Sequence, residues 1–192
     1  DLRNSYANMS YQKSLTLLYI KAVKDVVGKE AHIRIANSIS KGIYTTIHQS
    51  KFTKEVLVEK ITKRMQNLIA ADLPILQVKK DRDAILHAMH KNELIDDEHR
   101  ALSHAYDVRE VFVTTLDDEQ HLFDQYLLPS SGYLTKFDLH VYRKGIVLRF
   151  PQPSDPNVIP PFAEQNLLYE AFSEEKNWEK LTGVEEVNDL NR

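Results

Sequence analysis

The fold is decided by residues 137–150, which read FDLHVYRKGIVLRF. Apolar and polar side chains alternate on both sides of Arg143-Lys144-Gly145, a pattern typical of two strands joined by a tight turn. The stretch therefore predicts a β-hairpin, whose two strands are necessarily antiparallel.

Strand patterns recur earlier in the chain. Residues 32–36 and 42–47 alternate in the same way, which predicts a second hairpin that turns near residues 38–42. Residues 73–78 and 108–114 are rich in apolar and β-branched side chains and predict two more strands. A turn is predicted at the three acidic residues that follow, Asp117-Asp118-Glu119.

Helix patterns separate the strands. Apolar residues three and four apart predict helices over residues 10–27 and 53–73. Ser10 and Thr53 are expected to cap the N-termini of these helices, and Gly28 is expected to end the first one.

The remaining segments are assigned from their composition. Residues 1–9 are polar and predict a strand or loop before the first helix. Residues 81–91, 92–107 and 164–181 predict further helices. Helices and hairpins are mixed without repeated β-α-β units, which favours an α+β fold with an antiparallel sheet packed against helices.

The chain is predicted to divide near residue 151. Residues 1–151 carry most of the helix and strand patterns and are expected to form the α+β domain. Five of the 7 prolines lie in residues 151–161, so this stretch is expected to be an extended connector. Residues 152–192 are therefore predicted to be a Pro-rich connector followed by a helical segment.

Composition excludes several classes of site. The chain has no cysteine, which excludes a disulfide framework, a cysteine-ligated zinc site and a cysteine nucleophile. Its 5 glycines are never spaced as in the Walker or Rossmann phosphate-binding loops. No apolar stretch approaches the roughly 20 residues of a membrane span. We expect a cytoplasmic setting without a membrane partner and, because the chain begins at Asp1, a segment of a longer protein.

Charge is unevenly distributed along the chain. Residues 1–91 hold 16 Lys and Arg against 8 Asp and Glu, a net charge of +8. Residues 92–192 hold 9 against 20, a net charge of −11. The basic half permits contact with an anionic partner such as RNA. Lys13, Lys21 and Lys24 of the first helix are nevertheless expected to be solvated.

Histidines and one polar loop are the candidates for ligand chemistry. His87 and His90 lie three residues apart on a predicted helix, and His121 lies near Asp124. The first pair has no third ligand nearby, and the second, beside Asp117-Asp118-Glu119, is interpreted as a polar turn that leads into a strand, so no metal site is predicted. Residues 128–133 offer adjacent hydroxyls and backbone N–H groups, which either hold a carboxylate, phosphate or ribose or form a tight turn.

Five blocks of sequence, in order along the chain, point to a known family. They are Tyr11-Gln12-Lys13-Ser14-Leu15, Ser40-Lys41-Gly42-Ile43-Tyr44, Pro129-Ser130-Ser131-Gly132-Tyr133-Leu134, Leu148-Arg149-Phe150-Pro151 and Val187-Asn188-Asp189-Leu190-Asn191. In these blocks the chain resembles the N-terminal region of bacterial uridine kinase-like proteins of the phosphoribulokinase/uridine kinase family. The resemblance implies that a kinase domain follows, which phosphorylates a nucleoside with ATP and Mg²⁺.

A second set of blocks lies within residues 11–151. They are Ser14-Leu15-Thr16-Leu17-Leu18, Lys21-Ala22-Val23, Lys41-Gly42-Ile43-Tyr44, Phe52-Thr53-Lys54-Glu55, Leu73-Pro74-Ile75 and Leu127-Leu128-Pro129-Ser130-Ser131-Gly132-Tyr133. Here the chain resembles the editing domain of threonyl-tRNA synthetase, its second additional domain. This resemblance implies the α+β fold of that domain, with a C-terminal helical extension in this chain.

The resemblance also implies that the editing chemistry is lost. The synthetase domain uses a His-x-x-x-His pair and a Cys-x-x-x-His pair, and the matching positions here are Lys13, Leu17, Phe123 and Leu127. Leu and Phe side chains neither transfer protons nor bind a metal. The former cleft is expected either to be a filled core or to bind a small polar ligand or RNA, without a cofactor in this segment. The residues expected to line it are Lys13, Lys41, Tyr44, Asp124, Tyr126, Ser130, Ser131, Tyr133 and Arg149.

The sequence and its two resemblances leave three possible functions. The first is a non-catalytic accessory domain of a uridine kinase-like protein. This domain would regulate the protein or bind a ligand or RNA, and its partner would be the C-terminal kinase domain of the same chain. The alternatives are an aminoacyl-tRNA editing hydrolase and a homo-oligomerisation or interaction module.

Overall fold

The computed structural model describes residues 4–39, 42–49, 51–91, 110–152 and 155–162. Within them the chain forms an α+β structure of three helices and seven strands. The helices are α1 Ser5–Val27, α2 Lys54–Ala70 and α3 Arg82–Lys91. The strands are β1 His32–Ile39, β2 Gly42–His48, β3 Ile75–Asp81, β4 Glu110–Leu116, β5 Glu119–Phe123, β6 Asp138–Tyr142 and β7 Gly145–Arg149. A short 3-10 helix lies at Ser131–Tyr133.

Both hairpins predicted from alternation are confirmed. β6 and β7 pair antiparallel, with Tyr142 opposite Gly145 at the turn. β1 and β2 pair in the same manner, with Ile39 opposite Gly42. β2 then pairs with β7, which joins the two hairpins into one four-stranded antiparallel sheet in the order β1-β2-β7-β6.

The two other predicted strands, β3 and β4, form a second sheet together with β5, in the order β3-β4-β5. β3 and β4 pair antiparallel, and β4 turns into β5 through Asp117 and Asp118. Asp117 has φ 53, a left-handed conformation that Asp adopts more readily than most residues. The turn predicted at residues 117–119 is confirmed, although Glu119 already belongs to β5.

α1 begins earlier than its periodicity predicted. The side chain of Asn4 accepts hydrogen bonds from the backbone N–H groups of Tyr6 and Ala7, which caps the helix at that point. The prediction of a strand or loop is therefore wrong over residues 5–9, and so is the prediction of Ser10 as N-cap. Residues 1–3 lie outside the described residues. Gly28 ends the helix as predicted, with φ 136, and its N–H donates to the Lys24 carbonyl.

α1 lies between the two sheets and is almost completely buried over residues 10–23. On one side the hydroxyl of Tyr19 shares a hydrogen bond of 2.7 Å with Thr45 of β2. α2, whose Thr53 cap is confirmed by its bond from the Val56 N–H, packs against α1 and against β6 and β7. A continuous apolar core joins these elements, and its members include Leu15, Leu18, Ile35, Ile61, Met65, Ile146 and Leu148.

Some predictions fall outside the described residues. These are the helices expected over residues 92–107 and 164–181, and most of the segment 152–192. Among the described helices none is long and apolar enough to cross a membrane.

Candidate functional site

A stripe of polar residues runs along the side of α1 that faces the three-stranded sheet. Ser10, Lys13, Ser14 and Lys21 are all at most 7 % exposed. Lysine is rarely buried this deeply unless it is paired, so each of these groups needs a partner. The expectation that Lys13 and Lys21 are solvated is wrong, because the second sheet covers them.

Three of the residues predicted to line a cleft meet at one end of this stripe. The ammonium group of Lys13 donates to a carboxylate oxygen of Asp124 at 2.6 Å. The Lys13 side chain is 8 % exposed, whereas that of Asp124 is 53 % exposed. Tyr126 follows directly, 57 % exposed, with its ring 4.5 Å from that of Phe112. The three residues form a polar rim at the end of β5.

Lys21 lies at the other end of the stripe, next to the β4–β5 turn. Its ammonium group lies 2.8 Å from Asp25, 3.1 Å from Asp117 and 2.5 Å from Asp118. Burial alone would lower the pKa of Lys21, but the hydrogen bonds to Asp118, Asp25 and Asp117 outweigh it and leave the pKa above its ordinary value. Hydrogen bonds from Lys21 and Lys29 lower the pKa of Asp118 to about 2. This cluster fastens α1 to the β4–β5 turn.

Between the two ends lies a buried pair of ionisable groups. The imidazole Nε2 of His121 and a carboxylate oxygen of Glu119 are 2.6 Å apart, and the same oxygen lies 3.3 Å from the ammonium group of Lys24. Burial acts to raise the pKa of Glu119, but the bond to His121 and the charges of His121 and Lys24 together lower it.

The chemistry open to this pair is restricted by its surroundings. A carboxylate that orients an imidazole is the arrangement of a general base. His121 is 4 % exposed, however, and Thr114, directly opposite it on β4, is fully buried. The pair therefore lacks access to a substrate in this conformation. Among the described residues no group of three or more His, Asp or Glu could hold a metal ion.

The four positions that the sequence resemblance aligns with the reactive cluster of the editing domain are all buried. Lys13 is 7 % exposed, Leu17 0 %, Phe123 3 % and Leu127 8 %. The last three belong to the main apolar core. Their hydrocarbon side chains neither transfer protons nor bind a metal.

The polar groups of residues 128–133, here called the Pro-Ser loop, form hydrogen bonds with other parts of the chain. The hydroxyl of Ser131 donates to the Leu68 carbonyl at 2.7 Å and accepts from the Leu73 N–H at 2.8 Å. Ser130 donates to Asp72 at 2.5 Å. These bonds fasten the loop to the C-terminal end of α2, while the Tyr133 ring remains 61 % exposed. A ligand role for the loop stays a prediction.

Tyr44 and Arg149 lie in a third place. Residues next to them in the strands, such as Ile43 and Leu148, point into the apolar core. Since side chains alternate along a strand, Tyr44 and Arg149 point to the outer face of the four-stranded sheet. Lys41 lies outside the described residues. The residues predicted to line one cleft thus lie in three separate places: the polar rim at the end of β5, the Pro-Ser loop and the outer face of the four-stranded sheet.

Sequence reasoning considered His121 together with Asp124 and missed its pairing with Glu119. Glu119 and His121 are spaced i, i+2, which places both side chains on one face of a strand and could have indicated this pair. Asp138 and His140 have the same spacing within the hairpin that decides the fold. No local signal reveals that Lys24 contacts Glu119, which lies 95 residues away.

Comparison with known proteins adds no assignment. No protein-family model matches the chain, and no curated protein sequence matches it.

Proposed function

We propose that this chain is a non-catalytic accessory domain of a uridine kinase-like protein and that it acts in the cytoplasm by binding. The proposal rests on the resemblance in sequence together with the α+β arrangement of two antiparallel sheets around α1. In the parent protein, a separate domain with ATP and Mg²⁺ would transfer phosphate to a nucleoside.

One observation supports the non-catalytic part most strongly. Leu17, Phe123 and Leu127 stand where the resembling domain has titratable or metal-binding groups, and all three belong to the apolar core. The fourth position, Lys13, is committed to an ion pair with Asp124. A hydrolytic water needs a base within hydrogen-bond reach, and hydrocarbon side chains supply none.

The test is a deacylation assay with mischarged tRNA. Hydrolysis is followed over time with the wild-type chain, with Lys13→Ala and with Asp124→Ala at equal concentration. We expect release of the amino acid at the rate of the buffer control in all three samples.

The same assay can overturn the proposal. Turnover by the wild-type chain that disappears in Lys13→Ala and Asp124→Ala would show an editing hydrolase. Lys63→Ala, which removes a lysine from α2 on a different side of the domain, serves as the matched control for loss of one positive charge. A circular dichroism spectrum of each variant verifies that it is folded.

The parent context has a separate test in the full reading frame of the gene. A G-x-x-x-x-G-K-[ST] motif that opens a helix after a strand supports the kinase assignment. A reading frame without any such phosphate-binding loop contradicts it.

A further inference from the structure

The outer face of the four-stranded sheet carries an unusual set of side chains. Asp138, His140 and Tyr142 of β6 project there, beside Val147 and Arg149 of β7. An outer sheet face that meets only water would carry small or charged residues with exposed side chains. Here Tyr142 is 1 % exposed and Arg149 is 2 % exposed. Something therefore covers this face.

Among the described residues, the end of the Pro-rich connector packs on this face and covers part of it. The carbonyl of Pro160 accepts a hydrogen bond from the guanidinium of Arg149. The ring of Phe162 is stacked on His140, with 4.8 Å between centroids and 12° between planes. The same ring meets Tyr142 edge-on at 5.8 Å and lies 5.6 Å from the guanidinium carbon of Arg149. Three side chains thus form a receptor for one flat ring.

The ring of Phe162 fits between these side chains, but it forms no hydrogen bonds with the polar groups beside it. The Nε donor of Arg149 and the Oδ1 acceptor of Asp138 are both buried without a hydrogen-bond partner among the described residues. The Asp138 oxygen lies 3.6 Å from the His140 Nε2, beyond hydrogen-bond distance. An unsatisfied buried donor or acceptor destabilises a structure, and one that persists calls for an explanation. A phenyl ring offers no polar edge to either atom.

We propose that this receptor is a binding site for a nucleobase and that Phe162 occupies it in place of the ligand. A base is a flat ring that stacks on His140 and lies against the Arg149 guanidinium. Unlike a phenyl ring, it has donors and acceptors along its edge, which suit Arg149 Nε and the Asp138 carboxylate. The base belongs either to a free nucleotide or to single-stranded nucleic acid.

Positive charge around the receptor suits the phosphate that accompanies a base. Arg143 in the β6–β7 turn folds over Tyr142, with its guanidinium carbon 5.5 Å from the ring centre. Arg34 of β1 alternates with the core residues Ile33 and Ile35, so it projects to the same outer face.

The site deepens the proposed accessory function by naming a ligand class, but it depends on different residues. Deacylation turnover that depends on Lys13 and Asp124 would overturn the accessory function and leave this site untouched. Failure of base binding would remove this site and leave the non-catalytic assignment in place.

The test measures binding of UMP, AMP and single-stranded RNA octamers of U and of A by isothermal titration at low salt. Four forms of the protein are compared: wild type, Phe162→Ala, the double variant Phe162→Ala/His140→Ala, and Val158→Ala. The last changes an exposed residue of the same connector and is the matched control. Ribose 5-phosphate is the probe without a base.

We expect Phe162→Ala to bind a base-containing probe about tenfold more tightly than wild type, because the competing ring is gone. The His140→Ala change should reverse most of that gain, and Val158→Ala should equal wild type. Tighter binding of UMP or AMP identifies a nucleotide site, and binding of octamers alone identifies single-stranded RNA.

Three results would overturn the proposal. The first is that no base-containing probe binds Phe162→Ala at millimolar concentration while its circular dichroism spectrum is that of wild type. The second is that ribose 5-phosphate binds as tightly as UMP, since the site would then recognise phosphate only. The third is that the His140→Ala change has no effect, since the base would then not stack on His140.

Discussion

At the scale of single residues, the structure is dominated by buried charge. Lys21 is surrounded by Asp25, Asp117 and Asp118, so three carboxylates share one ammonium group. The sequence did not indicate this cluster, because Lys21 was predicted to be a solvated lysine on a helix face. Its role depends on a turn that lies 97 residues further along the chain.

Removal of this ammonium group should destabilise the fold. Lys21→Met keeps the length of the aliphatic stem but leaves Asp25, Asp117 and Asp118 to repel one another. We expect a loss of about 1–3 kcal/mol in the free energy of unfolding, less than for a fully buried pair because two of the carboxylates are partly solvated. Urea denaturation measures it. Lys29→Met, at a lysine side chain that is 80 % exposed, should change the free energy much less, because solvent screens its ion pair with Asp118. Equal effects of the two substitutions would contradict this account.

Asp118 makes the same cluster sensitive to acid. Its folded-state pKa of about 2 lies below the value of roughly 4 expected in the unfolded chain. The ionised form is therefore favoured by folding, and its contribution is complete above about pH 5 and declines as the pH falls from 4 toward 2.

Asp118→Asn should accordingly lower stability at pH 6 and lower it clearly less at pH 2.5. Because the Asp118 side chain is 41 % exposed, we expect a difference below about 1 kcal/mol at pH 6. Urea titrations of both proteins at pH 6, 4 and 2.5 measure it. Asp83→Asn, at a carboxylate 83 % exposed, is the control. A wild-type advantage over Asp118→Asn that is the same at all three values would refute the assignment.

At the scale of elements, local alternation was sufficient for the four strands of the larger sheet. The hairpins around residues 32–48 and 137–150 were predictable because period-two patterns and turn residues act over short distances. The start of α1 was missed because Asn4 is followed by a polar stretch that carries no helical apolar repeat. The helix is stabilised there by its cap and by contacts such as the bond from Asn8 to the Pro151 carbonyl, which no local pattern contains.

Gly145 shows how tightly these elements approach each other. A Cβ atom at this position would meet the carbonyl oxygen of Thr45 on β2 and lie 2.8 Å from the Tyr44 ring. The carbonyl belongs to a neighbouring strand and cannot yield without disturbing the pairing of β2 with β7.

Gly145→Ala should therefore lower the unfolding free energy by about 1–3 kcal/mol through overpacking. Thermal unfolding followed by circular dichroism measures the effect as a lower Tm. Lys144→Ala, an exposed neighbour in the same turn, should leave Tm nearly unchanged. A Gly145→Ala protein as stable as Lys144→Ala would show that the two hairpins are not joined as described.

At the scale of the whole molecule, the sequence was sufficient for the fold class but not for the site. The α+β class follows from hairpins and helices that can be recognised one by one. The predicted lining of one cleft instead falls into three places, because residues such as Lys13, Ser131 and Arg149 are brought to different surfaces by strand pairing and by α1. Long-range pairing of β2 with β7, which sets the outer face, has no local signature.

The central claim is that Leu17, Phe123 and Leu127 belong to a packed core and do not line a cleft, and Leu17→Ala tests it most directly. Leu17 is completely buried, so its truncation should lower the free energy of unfolding by about 2–5 kcal/mol. Urea denaturation of the wild type and of Leu17→Ala gives this difference, with Thr135→Ala as an exposed control. A loss of that size, with no change for Thr135→Ala, is the result we predict. A loss below about 0.5 kcal/mol would mean that Leu17 lines an open cleft, and would contradict the account.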